Sequence, residues 1–418
     1  MKFKIISLGC PKNLVESEYI AKRLEDKGHQ LDEYYGTVII NTCAFIADAA
    51  KESIETILEE ALDKKKVVVS GCLVERYKEK LKELLPEVDL FIGRNFYGNI
   101  EDLIESKGFF LKEGNFAETF PRKVLTGNTM AYLKIQEGCD NRCSYCTVPD
   151  IRGGLRSRSP EDIRKEFIWL LDGGFKEINI IGQDITSYGR REGFTLAKLL
   201  KHLLEVKGDY FIRLLYMHPK GISKGLIEVI TSDDRIIRYM DIPIQHSEDN
   251  ILASMGRGYD KTYLENLIGS IRRDMPEAVL RTTVIVGFPG ETDEDFSHLC
   301  DFVKKWEFDM LGAFMYSKEE GTPAFKLKRQ VKKSVKQSRY NEIMEIQKDI
   351  SKKRLAVLQG KQTKVIVEGK GEGYMTGRLL IQAPDIDGIA FIKGDCKIGE
   401  IRDGKIVKTL DYDVIVEV

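Results

Sequence analysis

The chain has 418 residues, of which 42% are hydrophobic and 31% are charged, so it is long enough for two or three globular domains. Its 65 basic and 66 acidic residues nearly cancel, which gives no bulk attraction to nucleic acid or to an anionic membrane. An RNA partner would need a local basic patch. No apolar run approaches the roughly 18 residues of a membrane span, and MKFKIISLGCPKN lacks a signal-peptide core, so we expect a cytoplasmic protein without a membrane partner.

The first 105 or so residues alternate short apolar runs with helical stretches, which predicts an α/β domain with a parallel sheet. The predicted strands are KFKIISLG, TVIINT, KVVVSG and LFIGR. Cys10, Cys43 and Cys72 each follow one of the first three strands at the turn into a helix. Ligands of open α/β sheets gather at the carboxyl ends of the strands. We therefore expect these cysteines, the N-terminal triad, to converge on one site rather than to be three separate core residues.

Residues 106–130 lose this periodicity and are predicted to form a linker. From residue 131 to about 325 the alternation returns. The strand candidates are AYLKIQEG, EINIIGQD, YFIRLLYMHP, YMDIPIQH, LRTTVIVGFPG and MLGAFMYS. Six β/α units predict a partial (β/α)6 barrel with its active site at the carboxyl ends of the strands, and a doubly wound sheet is the alternative.

The last part of the chain contains two predicted units, a helix and a β barrel. Residues 330–358 predict a long charged amphipathic helix, and from Gly360 onward short β runs between glycines predict a small antiparallel β barrel. The expected domains are residues 1–115, 125–355 and 356–418.

Cys139, Cys143 and Cys146, the central triad, form a C-x3-C-x2-C array after the first strand of the central domain. Clustered cysteines in a reducing compartment are typical of metal-binding or catalytic sites. Structural zinc commonly takes four ligands in paired spacings, and no suitable second pair lies nearby. A 4Fe–4S cluster normally takes four thiolates, so three would leave one iron free to bind another ligand.

Polar residues and glycines stand at the ends of other predicted strands. Gln183 and Asp184 are candidates to line a pocket. Gly287 and Gly290 in VGFPGET would let the backbone approach a nucleoside closely, with an ordinary glycine–proline turn as the alternative. His246 in DIPIQH is a candidate for either a pocket or a structural position.

Three arginines, Arg152, Arg156 and Arg158, follow the central triad. One of them could balance a cofactor carboxylate, and a solvated turn is the alternative. Cys300 and Cys396 stand alone and are expected to be inert.

These motifs resemble those of the radical S-adenosylmethionine methylthiotransferases along essentially the whole chain. The central array, with Tyr145 before its third cysteine, is similar to the radical signature. GCPKN, NTCAFI and GCLVERY resemble the auxiliary-cluster domain, and the C-terminal barrel resembles the TRAM domain. RGGLRSRS, and DAAKESI after NTCAFI, resemble the branch that modifies a ribosomal protein. The chain departs from many members at Ser247 and Glu248.

The resemblance implies two 4Fe–4S clusters, one on each triad, and S-adenosylmethionine bound near Tyr145, Gln183, Asp184, Gly287 and Gly290. The first cluster would cleave the cofactor to a radical that abstracts hydrogen from the β-carbon of an aspartate in the twelfth small-subunit ribosomal protein. The second would present sulfur, and a second S-adenosylmethionine would supply methyl. The partners implied are that ribosomal protein, an electron donor and a sulfur donor, with any RNA contact secondary.

Two other functions are considered. A transfer-RNA adenosine methylthiotransferase shares the same motifs, but residues 355–418 hold nine basic and ten acidic residues, which suits a basic protein better than RNA. Lys361, Lys364 and Arg378 could still form a basic patch. A zinc-stabilised RNA-binding protein would hold zinc rather than iron.

Overall fold

The computed structural model describes residues 1–63, 65–112 and 120–418. The first sheet has the strands β1 (Lys2–Ser7), β2 (Gln30–Leu31), β3 (Thr37–Thr42), β4 (Lys66–Gly71), β5 (Leu90–Ile92) and β6 (Gly108–Phe110). Its helices are α1 (Pro11–Asp26), α2 (Ala47–Ala61), α3 (Cys72–Tyr77), α4 (Lys80–Leu84) and α5 (Ile100–Leu103). The order is β2-β1-β3-β4-β5-β6 and every pairing is parallel, as predicted.

Three details of this domain differ from the prediction. The short strands β2 and β6 show too little periodicity to be predicted, and β6 lies inside the expected linker, of which residues 113–119 are outside the described part. The stretch LVERYKEKLKELL is not one helix, because Lys78 adopts φ +52° and separates α3 from α4.

The second sheet is an open partial barrel. Its strands are β7 (Met130–Lys134), β10 (Glu177–Ile181), β11 (Phe211–Leu214), β12 (Ile236–Asp241), β13 (Val279–Val286) and β14 (Met310–Met315). The strands β8 (Gln136–Glu137) and β9 (Arg156–Ser157) pair with each other in a separate small ribbon. The helices of the central domain are α6 (Val148–Arg152), α7 (Pro160–Asp172), α8 (Leu196–Leu204), α9 (Lys224–Ser232), α10 (Asp249–Met255), α11 (Lys261–Asp274), α12 (Asp293–Trp306) and α13 (Lys333–Ala356). Short 3-10 helices lie at Arg94–Asn99, Ile185–Ser187, Pro219–Gly221 and Pro323–Lys326.

The strand order β7-β10-β11-β12-β13-β14 follows the chain without reversal, and all pairings in this sheet are parallel. A doubly wound sheet reverses its order at a switch point, so that alternative is wrong and the partial barrel is confirmed. The predicted long helix near the C-terminus is α13. Among the described residues, no helix combines the length and the apolar character that a bilayer crossing requires.

The C-terminal strands β15 (Gln362–Lys370), β16 (Met375–Leu379), β17 (Ala390–Lys393), β18 (Ile401–Thr409) and β19 (Val414–Glu417) close into the expected small barrel. Its pairings are antiparallel except for β17 with β19, which is parallel. The segment between β16 and β17 packs on the central sheet, where Ala383 joins a cluster with Tyr132 and Tyr239. The barrel therefore covers part of the central sheet rather than standing apart from it.

Arg122 holds the N-terminal and central parts of the chain together. Its guanidinium is fully buried, contacts Glu18 of α1 and the carbonyl of Tyr132, and lies 2.8 Å from Glu166 of α7. One cation thus pairs with two buried carboxylates on different domains, and Glu166 has Arg158 as a second cation at 2.5 Å. A buried carboxylate without its cation is strongly unfavourable.

Arg122→Ala should lower the free energy of unfolding by about 3–5 kcal/mol, because it removes the cation paired with buried Glu18 and one of the two cations paired with Glu166. Lys22→Ala is the matched control: its Nζ pairs with Asp26 on the exposed face of α1, and its loss should change stability by less than about 0.5 kcal/mol. Equilibrium urea denaturation measures both variants. Equal stability of the two variants would show that Arg122 does not hold the domains together.

Candidate active site between two cysteine triads

The N-terminal triad assembles at the carboxyl edge of the first sheet. Cys10 lies between β1 and α1, Cys43 follows β3, and Cys72 is the first residue of α3 after β4. Because β1, β3 and β4 are neighbours in the sheet, the three thiols come within electrostatic range of one another. Burial, together with the adjacent Cys72 and Cys10, raises the pKa of Cys43 to about 12.

Cys10 differs from its two partners in its charge environment. Burial by itself would raise the pKa of Cys10, but the cations Lys12 and Arg152 outweigh burial and hold that pKa below its usual value. Burial raises the pKa of Cys72. Ligand binding to iron requires thiolates, so metal loading of this triad would release protons.

The central triad lies in a loop after β8, held by backbone hydrogen bonds. Cys146 N donates to Cys143 O at 3.0 Å, and Ser144 N donates to Met255 O at 2.9 Å. Burial raises the pKa of Cys139 to about 11 and that of Cys146 to about 12. These three thiols also lie within electrostatic range of one another, as the sequence spacing predicts.

Each triad supplies three free thiols as donors. Within the described ranges, no three His, Cys, Asp or Glu side chains close around one ion position. The cysteines of a 4Fe–4S cluster bind different iron atoms, so their sulfurs lie farther apart than around one zinc ion. Each triad offers three thiols, one fewer than the four that a 4Fe–4S cluster normally takes.

The loops that carry the two triads contact each other; the space between the triads is called the gap, and the N-terminal and central domains are its two walls. Thr147, directly after Cys146, donates its hydroxyl to the carbonyl of Phe45 at 2.9 Å. Ile151 of α6 packs in the same apolar cluster as Cys72. The loop that carries one triad is thereby fixed against the loop that carries the other.

A buried ion network joins the two walls. The carboxylates of Glu16 and Glu137 share the cations Arg94, Lys134 and Arg152, with each N–O separation between 2.8 and 3.2 Å. Burial would raise the pKa of Glu16, but Arg152, Arg94 and Lys134 outweigh burial and lower that pKa. Glu16 lies on α1 after Cys10, and Glu137 directly precedes the loop of the central triad.

Arg152 lies at the N-terminal triad rather than in a solvated turn, so that alternative is wrong. Its Nη2 lies 3.5 Å from Cys72 Sγ, and the same nitrogen donates to Asn13 Oδ1. Arg158 donates to the carbonyl of Lys134, and Arg156 lies on β9 beside Glu137 of β8.

Gln183 and Asp184 both contact the surroundings of the central triad. Gln183 Nε2 donates to Glu137 Oε1 at 2.9 Å. Asp184 is buried and accepts from Asn141 Nδ2 at 2.7 Å and from Thr186 Oγ1 at 2.6 Å. Asn141 lies between Cys139 and Cys143, so Asp184 orders the cysteine loop from the end of β10.

Tyr145 and the loop VGFPGET come together beside the central triad, because Phe288 of that loop packs in one cluster with Tyr145. Gly287 and Gly290 have φ of +71° and +92°, which favours glycine. A Cβ on Gly287 would overlap Lys336, whereas Gly290 has open space on that side.

His246 and Glu248, one of the two residues at which the chain departs from many family members, both have partners within the protein. Burial lowers the pKa of His246 to about 4, and its Nδ1 accepts from Glu248 N at 3.0 Å. Glu248 pairs with Lys261 and His298 on two helices.

Sequence analysis missed Arg257 and Lys12. Arg257 Nη1 lies 3.4 Å from Cys143 Sγ and 3.4 Å from Tyr145 Oη, yet no motif links it to a cysteine 114 positions earlier. Lys12 stands two residues after Cys10 in GCPKN, so its position could have been noticed.

Comparisons with known proteins agree with this site. Three family models match the chain. The model described as "Uncharacterized protein family UPF0004" matches residues 2–93, the one described as "Radical SAM superfamily" matches residues 133–303, and the one described as "TRAM domain" matches residues 360–418. A radical S-adenosylmethionine methyltransferase, TsrM, from Kitasatospora setae has a similar fold, with a TM-score of 0.58 and 15% identity over 77% of this chain and 76% of that chain. Fold and site together define a radical S-adenosylmethionine enzyme, a class that implies a 4Fe–4S cluster and S-adenosylmethionine.

Curated proteins named "Ribosomal protein uS12 methylthiotransferase RimO" match over the whole chain. Those from Acetivibrio thermocellus and Thermodesulfovibrio yellowstonii are each 43% identical, with 100% and 99% of this chain and 98% of each relative covered. The one from Aquifex aeolicus is 42% identical over 99% of this chain and 96% of that relative. The chain belongs to this RimO family of methylthiotransferases.

Gly9→Ala should disturb the N-terminal triad, because a Cβ there would lie 2.7 Å from Cys43 Sγ. Gly28→Ala is the control for backbone strain: its φ of +83° resembles the +85° of Gly9, but nothing lies within 4 Å of its added Cβ. Iron analysis after anaerobic reconstitution should show about half the wild-type iron in Gly9→Ala and full iron in Gly28→Ala. Full iron in both variants would contradict the placement of Cys43.

Proposed function

We propose that this chain attaches a methylthio group to the β-carbon of an aspartate in ribosomal protein uS12. The observation that carries the proposal is the contact between the two loops that hold the cysteine triads, which brings the triads together. A methylthiolation needs a site that activates the substrate carbon and a site that delivers sulfur, and both must reach the same atom. Membership of the RimO family supports uS12 as the target.

Each triad has a separate role in this proposal. Cys139, Cys143 and Cys146 would hold the radical cluster, with S-adenosylmethionine near Tyr145, Gly287 and Gly290. The N-terminal triad would hold a second 4Fe–4S cluster that carries the sulfur. When bound, these groups supply the electron that cleaves S-adenosylmethionine and the sulfur that is transferred.

The protein's own residues prepare the two sites. Arg257 beside Cys143 and Arg152 beside Cys72 place positive charge where thiolate ligands bring negative charge. Asp184 holds Asn141 and so fixes the central loop. The ion network fixes the distance between the walls, which matters because group transfer depends on close and oriented reactants.

The chain divides by function into residues 1–115 for sulfur delivery, 125–355 for radical chemistry and 356–418 for docking of the ribosomal substrate. Within the last part, Arg378 is buried against Glu177 and Glu368 and so does not contribute to a basic surface patch. This favours a protein target, with RNA contact through the TRAM domain secondary. An electron donor and a sulfur donor are further partners, and the cytoplasm is the expected location.

The target is tested in a bacterial host that lacks its own methylthiotransferases and expresses this chain. Mass spectrometry of its ribosomal proteins should show uS12 carrying one methylthio group in place of a hydrogen on an aspartate. Digested transfer RNA from the same cells should lack methylthioadenosine derivatives. Unmodified uS12 together with methylthiolated transfer RNA would overturn the proposal in favour of an RNA target.

Cys43→Ala separates the two cysteine roles. The variant should retain about four of about eight irons and still form 5′-deoxyadenosine with dithionite, because the radical triad is intact. It should not attach methylthio groups. Cys300→Ala is the matched control, since Cys300 is buried in the core of α12, away from both triads. Methylthiolation by Cys43→Ala at the rate of Cys300→Ala would contradict the sulfur-carrier role.

A further inference from the structure

Lys12 is a buried cation between the two walls of the gap. It is the second residue of α1 and is 8% exposed. Its Nζ lies 3.4 Å from the centre of the Tyr216 ring, just beyond the carboxyl end of β11 in the central sheet. Lys12 therefore extends from the N-terminal triad across to the radical domain.

Within the described residues, no carboxylate pairs with Lys12. The charged groups that face it are Cys10, Arg152, Asp241 and Glu137. Of the two carboxylates, Glu137 belongs to the buried ion network described above. Asp241 Oδ1 pairs with a different cation, Arg281, at 3.0 Å, and its Oδ2 accepts from Tyr216 N at 2.8 Å.

The favourable electrostatic partner that acts most strongly on Lys12 is the Cys10 thiol, and no described carboxylate pairs with Lys12 directly. A tyrosine face stabilises an ammonium only modestly. Removing such an ion from water costs several kcal/mol, which a buried carboxylate partner normally offsets. Lys134 on β7 shows the usual solution, because its Nζ pairs with Glu16 at 3.1 Å and with Glu137 at 2.8 Å. Among the described residues, Lys12 thus lacks the carboxylate partner that Lys134 has, and that role is left to an anion from outside the chain.

We infer that Lys12 binds the side-chain carboxylate of the target aspartate and thereby selects that residue. This inference rests on the proposed function. In aspartate the reacting β-carbon is bonded directly to the carboxylate carbon, so a cation that holds the carboxylate also positions the reacting carbon. The gap between the triads is where that carbon must lie.

An alternative role for Lys12 would be to balance only the negative charge of the N-terminal triad. Arg152 already contacts Cys72 and faces Cys10, so the triad has a cation without Lys12. The Lys12 ammonium instead lies against Tyr216 on the opposite wall. This position favours a ligand in the gap, and the experiment below separates the two roles.

The test compares equilibrium binding of two forms of uS12, one with the target aspartate and one with asparagine at that position. Binding to the reconstituted holoenzyme is measured anaerobically without reductant, so that no turnover occurs. The wild type should prefer the aspartate form by about 10- to 100-fold, the size expected for a charge-assisted hydrogen bond. Lys12→Met should bind both forms about equally, and Lys12→Arg should keep part of the preference.

Lys4→Met is the matched control. Lys4 also lies near a tyrosine ring, Tyr35 at 5.1 Å, but it pairs with Glu60 and is distant in the sheet from the cysteine turn. It should keep the wild-type preference. Iron content and the visible absorption of the clusters are measured for every variant, and Lys12→Met should match the wild type in both.

Three results would overturn the inference. If Lys12→Met keeps the preference for aspartate while the wild type methylthiolates uS12, Lys12 does not select the substrate and the proposed function stands. Loss of iron from Lys12→Met would assign Lys12 to the N-terminal triad instead. If wild-type enzyme with both clusters does not modify uS12, the proposed function itself fails, and the assignment of Lys12 fails with it.

Discussion

The buried network of Glu16 and Glu137 with Arg94, Lys134 and Arg152 is the constraint on which the rest of the site depends. It lies where the N-terminal and central sheets meet, and its members come from both. Each charge in it would be costly to bury alone, and removing one member would leave others unpaired. The two cysteine loops are consequently held in a fixed position relative to each other.

The network also sets the electrostatics of the gap. Three cations share two carboxylates, and Arg152 of this network places positive charge beside Cys10 and Cys72 of the N-terminal triad. Lys12 adds a further cation on the side of the gap that faces Tyr216. Thiolate ligands and a substrate carboxylate are both anionic, and a positive gap stabilises both.

Sequence patterns predicted the parts of this structure that depend on local rules. Strand periodicity located the six central strands, and the turn positions of Cys10, Cys43 and Cys72 predicted their convergence. Chain order alone did not decide between a partial barrel and a doubly wound sheet, because that choice depends on which strands pair. The helix break at Lys78 could not be predicted either, because a positive φ at a lysine leaves no signal in the amino-acid composition.

The contacts of the charged residues in the site could not be predicted either, because they join residues that are far apart in the chain. Arg152 was considered only as a neighbour of the central triad in sequence, yet it contacts Cys72, 80 positions earlier. Arg257 reaches Cys143 across 114 positions. The contact of Arg152 joins the central and N-terminal domains, and that of Arg257 joins two loops of the central domain, so strand periodicity records neither.

The central claim is that two clusters lie on opposite walls of one gap. Electron paramagnetic resonance of the dithionite-reduced, reconstituted protein tests it directly, because two nearby paramagnetic clusters interact through their spins. The wild-type spectrum should be broadened by that interaction and should not equal the sum of the spectra from Cys43→Ala and Cys143→Ala. A wild-type spectrum equal to that sum would show that the clusters do not share one gap.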